Sequence, residues 1–355
     1  AERGVVVAGR DERGRATGRA AAAFAAAVGW PVLADPLSGG RTGPAAIAHW
    51  DLLLRHDGFA AATVPDVVLR VGDLPTSKAL RAWLARDEIG VQVVLDPEEA
   101  WQDPAARVDL RLPLAPGPAL AAAVEAGLPR QAPPSWLDGW RSADARAGAA
   151  IAAAAGDELT EIRVAAELGA VLPPSATLVV AASMPIRDVE SFFVVREDGP
   201  RVLANRGANG IDGTTSTAFG VAAGSPGPVV LFLGDVTFAH DLGGLLAAHR
   251  LRLPLTIVLV DNSGGGIFDF LPVASQRDAF EEHIATPTGL DPAHVAQLFG
   301  LDHRLVRDVA SFRAALDHGL ASDGVTLIEV RSDRAANVRL HRRVSDAVLA
   351  ELSGG

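Results

Sequence analysis

The chain has 355 residues, of which 49% are hydrophobic and 21% charged, with a formal net charge of −11 and no cysteine. No apolar run approaches the ~20 residues of a membrane-spanning helix, and a nucleic-acid surface would need concentrated basic charge. The absence of cysteine excludes disulfides and thiolate metal ligands. We expect two domains, a cytoplasmic location and small-molecule partners, with no nucleic acid and no membrane.

Short apolar runs alternate with Ala- and Leu-rich segments in the first third of the chain. This alternation is typical of βαβ units that build a parallel sheet. The predicted strands are Gly4–Gly9, Pro31–Asp35, Val67–Gly72 and Val91–Asp96. The predicted helices are Ala16–Val28 and Ser77–Ala85.

A stretch rich in proline and tryptophan, Gly127–Ser142, interrupts this alternation and is predicted to connect two domains. A long helical region is predicted over residues 143–172. The strands predicted after it are Thr177–Ser183, Arg201–Asn205, Val229–Asp235, Leu255–Asn262 and Val325–Arg331. The fold class is therefore α/β, with two doubly wound, Rossmann-like parallel-sheet domains at residues 1–142 and 143–355.

Polar residues stand at the carboxyl ends of two of these strands, where ligands bind in open parallel sheets. Asp235 ends one strand, and Asn262 ends the next strand along the chain, followed by three glycines. A carboxylate, an amide oxygen and a backbone carbonyl are suitable ligands for Mg²⁺. A helix predicted to start near Thr237 offers free N–H groups to an anionic diphosphate. The alternative is structural: Asp235 caps a helix and Asn262 lies in a turn.

This pattern, Gly-Asp at a strand end and, about 25 to 30 residues later, Asn with glycines, resembles the cofactor motif of thiamine-diphosphate enzymes. The resemblance implies that Mg²⁺, or Mn²⁺ in its place, is held by Asp235, Asn262 and the carbonyl of Gly264. Two positions depart from the motif: Val236 stands where a glycine is usual, and the second asparagine of the usual pair is either replaced by Ser263 or displaced to Asp261.

Four further stretches resemble the menaquinone-pathway synthase family within these enzymes, and the resemblance extends over essentially the whole chain. They are Gly72–Leu84, Ser183–Asp188, Asn205–Gly220 and Asn262–Pro272. The resemblance implies a transferase that decarboxylates 2-oxoglutarate and adds the product to isochorismate.

The resemblance also assigns roles to single residues. The implied substrate-binding residues are Ser183, Arg187, Arg206, Lys78, Phe268 and Leu271. The implied cofactor-binding residues are Ile211, Gly234, Asp235, Val236, Thr237, Gly264 and Ile267. The alternative is structural: the arginines form surface ion pairs, the lysine is a solvated charge on a helix face, and Ile211, Phe268 and Leu271 are plain core.

The family normally has a third, N-terminal domain that binds the cofactor's pyrimidine ring and supplies the activating glutamate. No residue here is predicted to fill that role, and neither Glu161 nor Glu190 matches its motif. We expect this chain to be a fragment of a homodimer or homotetramer, inactive alone. The alternatives are another thiamine-diphosphate decarboxylase or carboligase, or a non-catalytic nucleotide-binding protein.

Overall fold

The computed structural model describes residues 1–11, 15–127, 131–205 and 210–354. The chain divides into two compact units. The first comprises Ala1–Ala154, Glu190–Gly199 and Val344–Gly355, and the second comprises Ala155–Val189 and Pro200–Arg343. A parallel sheet forms the centre of each unit.

The first unit has a five-stranded parallel sheet in the order β2-β1-β3-β4-β5. Its strands are β1 Gly4–Ala8, β2 Val32–Ala34, β3 Val67–Val71, β4 Val91–Leu95 and β5 Leu110–Leu112. Its helices are α1 Arg15–Val28, α2 Trp50–Leu53, α3 Asp57–Ala62, α4 Lys78–Leu84, α5 Pro116–Glu125 and α6 Pro134–Ala155. All of β1 is buried, which explains why its sequence is continuously apolar rather than alternating.

The second unit has a six-stranded parallel sheet in the order β10-β11-β9-β8-β6-β7. Its strands are β6 Thr177–Val180, β7 Arg201–Leu203, β8 Val229–Gly234, β9 Leu255–Asp261, β10 Asp302–Val306 and β11 Val325–Arg331. The strand order reverses between β6 and β8, so the crevice at their carboxyl ends is the usual ligand position in such a sheet.

The remaining helices follow α6 in chain order. They are α7 Glu161–Val171, α8 Met184–Phe192, α9 Thr214–Gly224, α10 Asp235–His240, α11 Leu246–Leu251, α12 Arg277–Phe280, α13 Pro292–Phe299, α14 Val309–Ala321 and α15 Arg334–Ser353. In the second unit, α14 packs against β9, β10 and β11, while α9 and α10 pack against β8 and β9. The apolar side chains of β8 and β9 form the centre of the core.

The predicted fold class is confirmed, because both units are α/β with parallel sheets of five and six strands. The region 143–172 is not one helix: α6 ends at Ala155, Gly156 has a φ of +72°, and α7 begins at Glu161. The predicted connection is helical from Pro134 onward. Within the described ranges, no helix has both the length and the apolar character needed to cross a bilayer.

Candidate metal and cofactor site

The two strands that carry the predicted metal ligands are direct neighbours. β8 pairs in parallel with β9, and Gly234 lies opposite Val260. This register places Asp235 at the level of Asp261, one residue before Asn262. The backbone N–H of Gly264 donates a hydrogen bond to Asp235 Oδ2 at 2.7 Å. The fold therefore gathers the three predicted ligands at one edge of the sheet.

Asp235 is a buried carboxyl group in an acidic neighbourhood. Only 7% of the residue is exposed. Burial, followed by the negative charge of Asp261, raises the pKa of Asp235 from 3.8 to about 6, although the backbone N–H groups of Gly264 and Val236 act in the opposite direction. A carboxylate held in such a place is stabilised by a cation, because the cation offsets both the burial and the repulsion.

Asn262 has one end of its amide bonded and the other end open. Its Nδ2 donates to Glu161 Oε1 at 3.0 Å. Its Oδ1 is buried, and no donor among the described residues reaches it. A buried acceptor without a partner is costly in a folded protein, so it calls for a ligand. This oxygen is available to a cation.

The backbone after Asn262 makes a tight turn. Ser263 has a φ of 61° and Gly264 a φ of 138°, both in the region that L side chains rarely adopt. A Cβ at Gly264 would lie 2.8 Å from the carbonyl oxygen of Ala285. The carbonyl of Gly264 accepts from the N–H of Gly266 at 2.8 Å, which leaves one of its two lone pairs for a further partner.

Helix α10 begins at Asp235, two residues earlier than predicted, with Gly234 as its N-cap. Thr237 is buried and Val236 is half-buried. α10 is six residues long and follows β8 directly. Asp235 is therefore both the first residue of the helix and the carboxylate at the end of the strand. The structural alternative named Asp235 as the cap, but the N-cap position is occupied by Gly234, which has no side chain to cap the helix.

The predicted apolar residues of the site are not core residues. Ile211 and Ile267 are half-buried, whereas Phe268 and Leu271 are 38% and 41% exposed. Ile267 and Phe268 lie in a short 3₁₀ turn, Gly266–Phe270, which Leu271 ends. These four side chains therefore have surface to offer to a ligand.

The polar substrate-binding residues that the sequence predicts are spread over several segments of the chain. Ser183 lies between β6 and α8 with a φ of 76°. Arg187 is exposed in the first turns of α8, and its Nη1 donates to the carbonyl of Ser183 at 2.6 Å. Lys78 is the exposed first residue of α4 in the first unit. Arg206 lies outside the described residues.

Two domain families match consecutive parts of the chain. Residues 1–180 match the family described as the middle domain of thiamine pyrophosphate, and residues 188–330 match the C-terminal TPP-binding domain of thiamine pyrophosphate enzymes. The chain belongs to the thiamine pyrophosphate enzyme family. Thiamine pyrophosphate is the other name of thiamine diphosphate, so the predicted membership is confirmed.

Several curated relatives have the same name, 2-succinyl-5-enolpyruvyl-6-hydroxy-3-cyclohexene-1-carboxylate synthase. The protein from Bacillus velezensis is 38% identical over 99% of this chain and 61% of its own length. The proteins from Geobacillus kaustophilus and Myxococcus xanthus are each 41% identical over 99% of this chain. The matched regions are 62% and 60% of the lengths of these two proteins, respectively. The predicted resemblance to this synthase is confirmed by these names, and the chain spans about 60% of the length of these relatives.

The oxygen donors of this site fit a divalent cation that is bound by the protein and by a diphosphate together. Asp235 supplies a carboxylate, Asn262 an open amide oxygen and Gly264 a carbonyl, all of them oxygen ligands. Among the described residues, no three His, Cys, Asp or Glu side chains cluster in a metal-binding arrangement. The candidate site is independent of such a cluster, because only one of its three donors is an ionisable side chain.

Sequence reasoning missed a buried polar network next to Asn262. Glu161 is 3% exposed and accepts from both Asn262 Nδ2 and Ser332 Oγ. Close to it, His341 Nε2 and Asp188 Oδ1 are 2.9 Å apart. Burial and the charge of Asp188 raise the pKa of Glu161. In the sequence, Glu161 is only an acidic residue in the first turn of a helix, and nothing there relates it to a position a hundred residues later.

Proposed function

We propose that this chain forms the central and C-terminal part of a thiamine-diphosphate-dependent transferase of menaquinone biosynthesis. The proposed reaction decarboxylates 2-oxoglutarate and adds the remaining four-carbon unit to isochorismate. The observation that carries the proposal is the pairing of β8 with β9, which gathers Asp235, Asn262 and Gly264 at one sheet edge.

The name of these relatives supports the choice of substrates. A succinyl group is what 2-oxoglutarate provides after it loses CO₂. The rest of the name, an enolpyruvyl-hydroxy-cyclohexene carboxylate, describes the ring that isochorismate presents after an addition. Both substrates carry two carboxylates, so their binding calls for fixed cationic side chains.

Three residues would hold a divalent cation, Mg²⁺ or Mn²⁺. Asp235 would bind it through its carboxylate, Asn262 through Oδ1 and Gly264 through its carbonyl. The cation would in turn bind the diphosphate of the cofactor, close to Gly234, Val236 and Thr237. When bound, thiamine diphosphate supplies the electron sink that decarboxylation of a 2-oxo acid requires.

The other side chains would position and enclose the reactants. Ile211 and Ile267 would support the cofactor, and Phe268 and Leu271 would form an apolar wall that keeps water from the reacting atoms. Arg187, Arg206 and Lys78 would bind substrate carboxylates, and the hydroxyl of Ser183 would donate a hydrogen bond. An arginine suits this role because its planar fork matches a carboxylate at two points.

No described residue is assigned to activate the cofactor. In the family this task belongs to a glutamate of the pyrimidine-binding domain, which pairs with the diphosphate-binding domain of another subunit. We therefore propose that the working enzyme is a homo-oligomer and that this chain alone is inactive. The cytoplasmic location stays a prediction.

A substrate panel tests the proposed reaction. The chain is assembled with the N-terminal part of the Geobacillus kaustophilus relative, and 2-oxoglutarate and pyruvate are compared with and without isochorismate. We expect the cyclohexene product from 2-oxoglutarate and isochorismate together, and none from the chain without the added part. Preferential use of pyruvate would overturn the proposal in favour of another decarboxylase or carboligase of the family.

A further inference from the structure

The side chain of Glu161 is hydrogen-bonded to Asn262, one of the three proposed metal ligands. Glu161 is the first residue of α7, and the cap of that helix is Thr160, whose side chain accepts from the N–H of Arg163. The helix therefore fixes the backbone of Glu161. Its side chain is buried, and Oε1 accepts from Asn262 Nδ2 at 3.0 Å and from Ser332 Oγ at 2.5 Å.

The amide of Asn262 has two orientations of nearly equal shape. A half-turn about its last side-chain bond exchanges the oxygen and the NH₂ group, which are similar in size but opposite in polarity. Only one orientation offers an oxygen to a cation, while the other offers two N–H donors. A ligand asparagine therefore needs a neighbour that distinguishes its two ends.

Glu161 distinguishes them. A carboxylate oxygen accepts hydrogen bonds and cannot donate one, so it holds Nδ2 and leaves Oδ1 on the opposite side of the amide. Gly266 packs against the same end, since a Cβ built there would lie 2.9 Å from Nδ2. The result is the observed arrangement, with Nδ2 bonded and Oδ1 open.

The groups around Glu161 keep its oxygen in place as an acceptor. Ser332 donates to the same oxygen that holds Asn262. His341 contacts the backbone carbonyl of Asn337 through Nδ1 at 3.0 Å and the carboxylate of Asp188 through Nε2 at 2.9 Å. Since both of these partners are acceptors, the ring satisfies both contacts only when it carries two protons. The positive charge of the doubly protonated His341 ring offsets the negative charge that Asp188 places near Glu161.

We propose that Glu161 is a positioning residue that orients the amide of Asn262 so that Oδ1 faces the divalent cation. This inference rests on the proposed metal site. A competing explanation is that Glu161 only satisfies buried polar groups and so stabilises the fold. The two explanations differ in what a symmetric ligand at position 262 would do, because a carboxylate offers an oxygen in either orientation.

The test compares Glu161→Met, Glu161→Gln, Asn262→Asp and the double variant Glu161→Met with Asn262→Asp. Methionine is similar in size to glutamate and has no comparable acceptor, whereas glutamine keeps an acceptor oxygen and loses the charge. Binding of Mn²⁺ to the chain is measured by electron paramagnetic resonance with saturating thiamine diphosphate. Thermal unfolding without metal reports on the fold of each variant.

We expect Glu161→Met to weaken Mn²⁺ binding by about 10- to 100-fold, the usual effect of removing a group that orients a metal ligand. Glu161→Gln should remain within about threefold of the unsubstituted chain, because the acceptor is kept. In the Glu161→Met background, Asn262→Asp should restore binding to within about threefold, because a carboxylate needs no orienting partner. Asn262→Asp alone should not bind better than the double variant, since it places two carboxylates in contact.

Unchanged Mn²⁺ binding in Glu161→Met would overturn the inference, as would a double variant that binds no better than Glu161→Met. If Glu161→Met does not fold, a loss of about 10-fold or more in Glu161→Gln would overturn it too, because the charge and not the acceptor would then matter. Failure of the unsubstituted chain to bind Mn²⁺ at all is a different result. It would overturn the proposed metal site itself.

Discussion

The backbone N–H of Gly264 donates to Asp235 Oδ2 at 2.7 Å, although the two residues belong to different strand ends. This bond connects the turn after β9 to the carboxylate after β8. One of the two oxygens of Asp235 is therefore held by the protein, so a bound cation would meet a carboxylate of fixed orientation. The predictions for Asp235 and Gly264 depend on this local arrangement.

Replacing Asp235 should stabilise the chain in the absence of metal. The pKa of this carboxyl group is near 3.8 in the unfolded chain and about 6 in the folded chain. Between pH 3.8 and about 6, the group therefore carries a proton in the folded state and has lost it in the unfolded state. Stability therefore falls as the pH rises through this interval and stays low above it. We expect Asp235→Asn to raise the free energy of unfolding at about pH 8 by roughly 2 to 3 kcal/mol.

Chemical denaturation of the metal-free chain at several pH values measures this effect. Asp212→Asn is the control, because that carboxylate lies in the same unit and is 83% exposed. It should change the free energy of unfolding by less than about 0.5 kcal/mol. Equal stability of Asp235→Asn and the unsubstituted chain at high pH would contradict the raised pKa.

Metal binding should strengthen as the pH rises through about 6, the pKa of Asp235. A metal cation binds only the deprotonated carboxylate, so protonation of Asp235 below this pH weakens metal binding. Mn²⁺ titrations across this range measure the dependence. A Mn²⁺ affinity that stays constant as the pH rises through about 6 would mean that the carboxyl of Asp235 is not a ligand.

Gly264→Ala should destabilise the second unit by about 1 to 3 kcal/mol, because its φ of 138° strains any side chain and the new Cβ meets the carbonyl of Ala285. Gly289→Ala is the matched control, since Gly289 also has a positive φ, of 64°, but open space around it. The control should cost only about 1 to 2 kcal/mol, from the backbone conformation alone. A smaller loss in Gly264→Ala than in the control would show that the turn relaxes easily.

Arg187→Lys and Arg206→Lys should reduce kcat/KM for the two di-acid substrates by about 10- to 100-fold in the assembled enzyme, because lysine keeps the charge but loses the second hydrogen bond. Arg250→Lys, at an exposed arginine of α11, is the control and should have little effect. Steady-state kinetics with both substrates measure the change. Kinetics equal to those of the control would return Arg187 and Arg206 to the role of surface charges.

The strands that build the site could be predicted because their signal is local. β8 and β9 are predominantly apolar and buried, and polar residues, Asp235 after β8 and Asp261 with Asn262 at the end of β9, follow each apolar run. Parallel pairing then brings Asp235 close to Asn262 and Gly264, as the sequence predicted.

Other elements could not be predicted because their sequences resemble surface segments. β10 reads Asp-His-Arg-Leu-Val and β5 reads Leu-Arg-Leu, and both are short edge strands that need little apolar surface. The role of Glu161 depends on tertiary contacts with Asn262 and Ser332, which only the folded chain brings together.

Calorimetric titration of thiamine diphosphate into the chain, with Mg²⁺ and after chelation, tests the central claim most directly. We predict weak binding that requires the metal, is lost in Asp235→Ala, and is kept in Asp261→Asn, whose carboxylate lies at the same sheet edge but is not a proposed ligand. Binding of equal strength with and without Mg²⁺, or undiminished binding by Asp235→Ala, would contradict the assignment of this edge as the metal and diphosphate site.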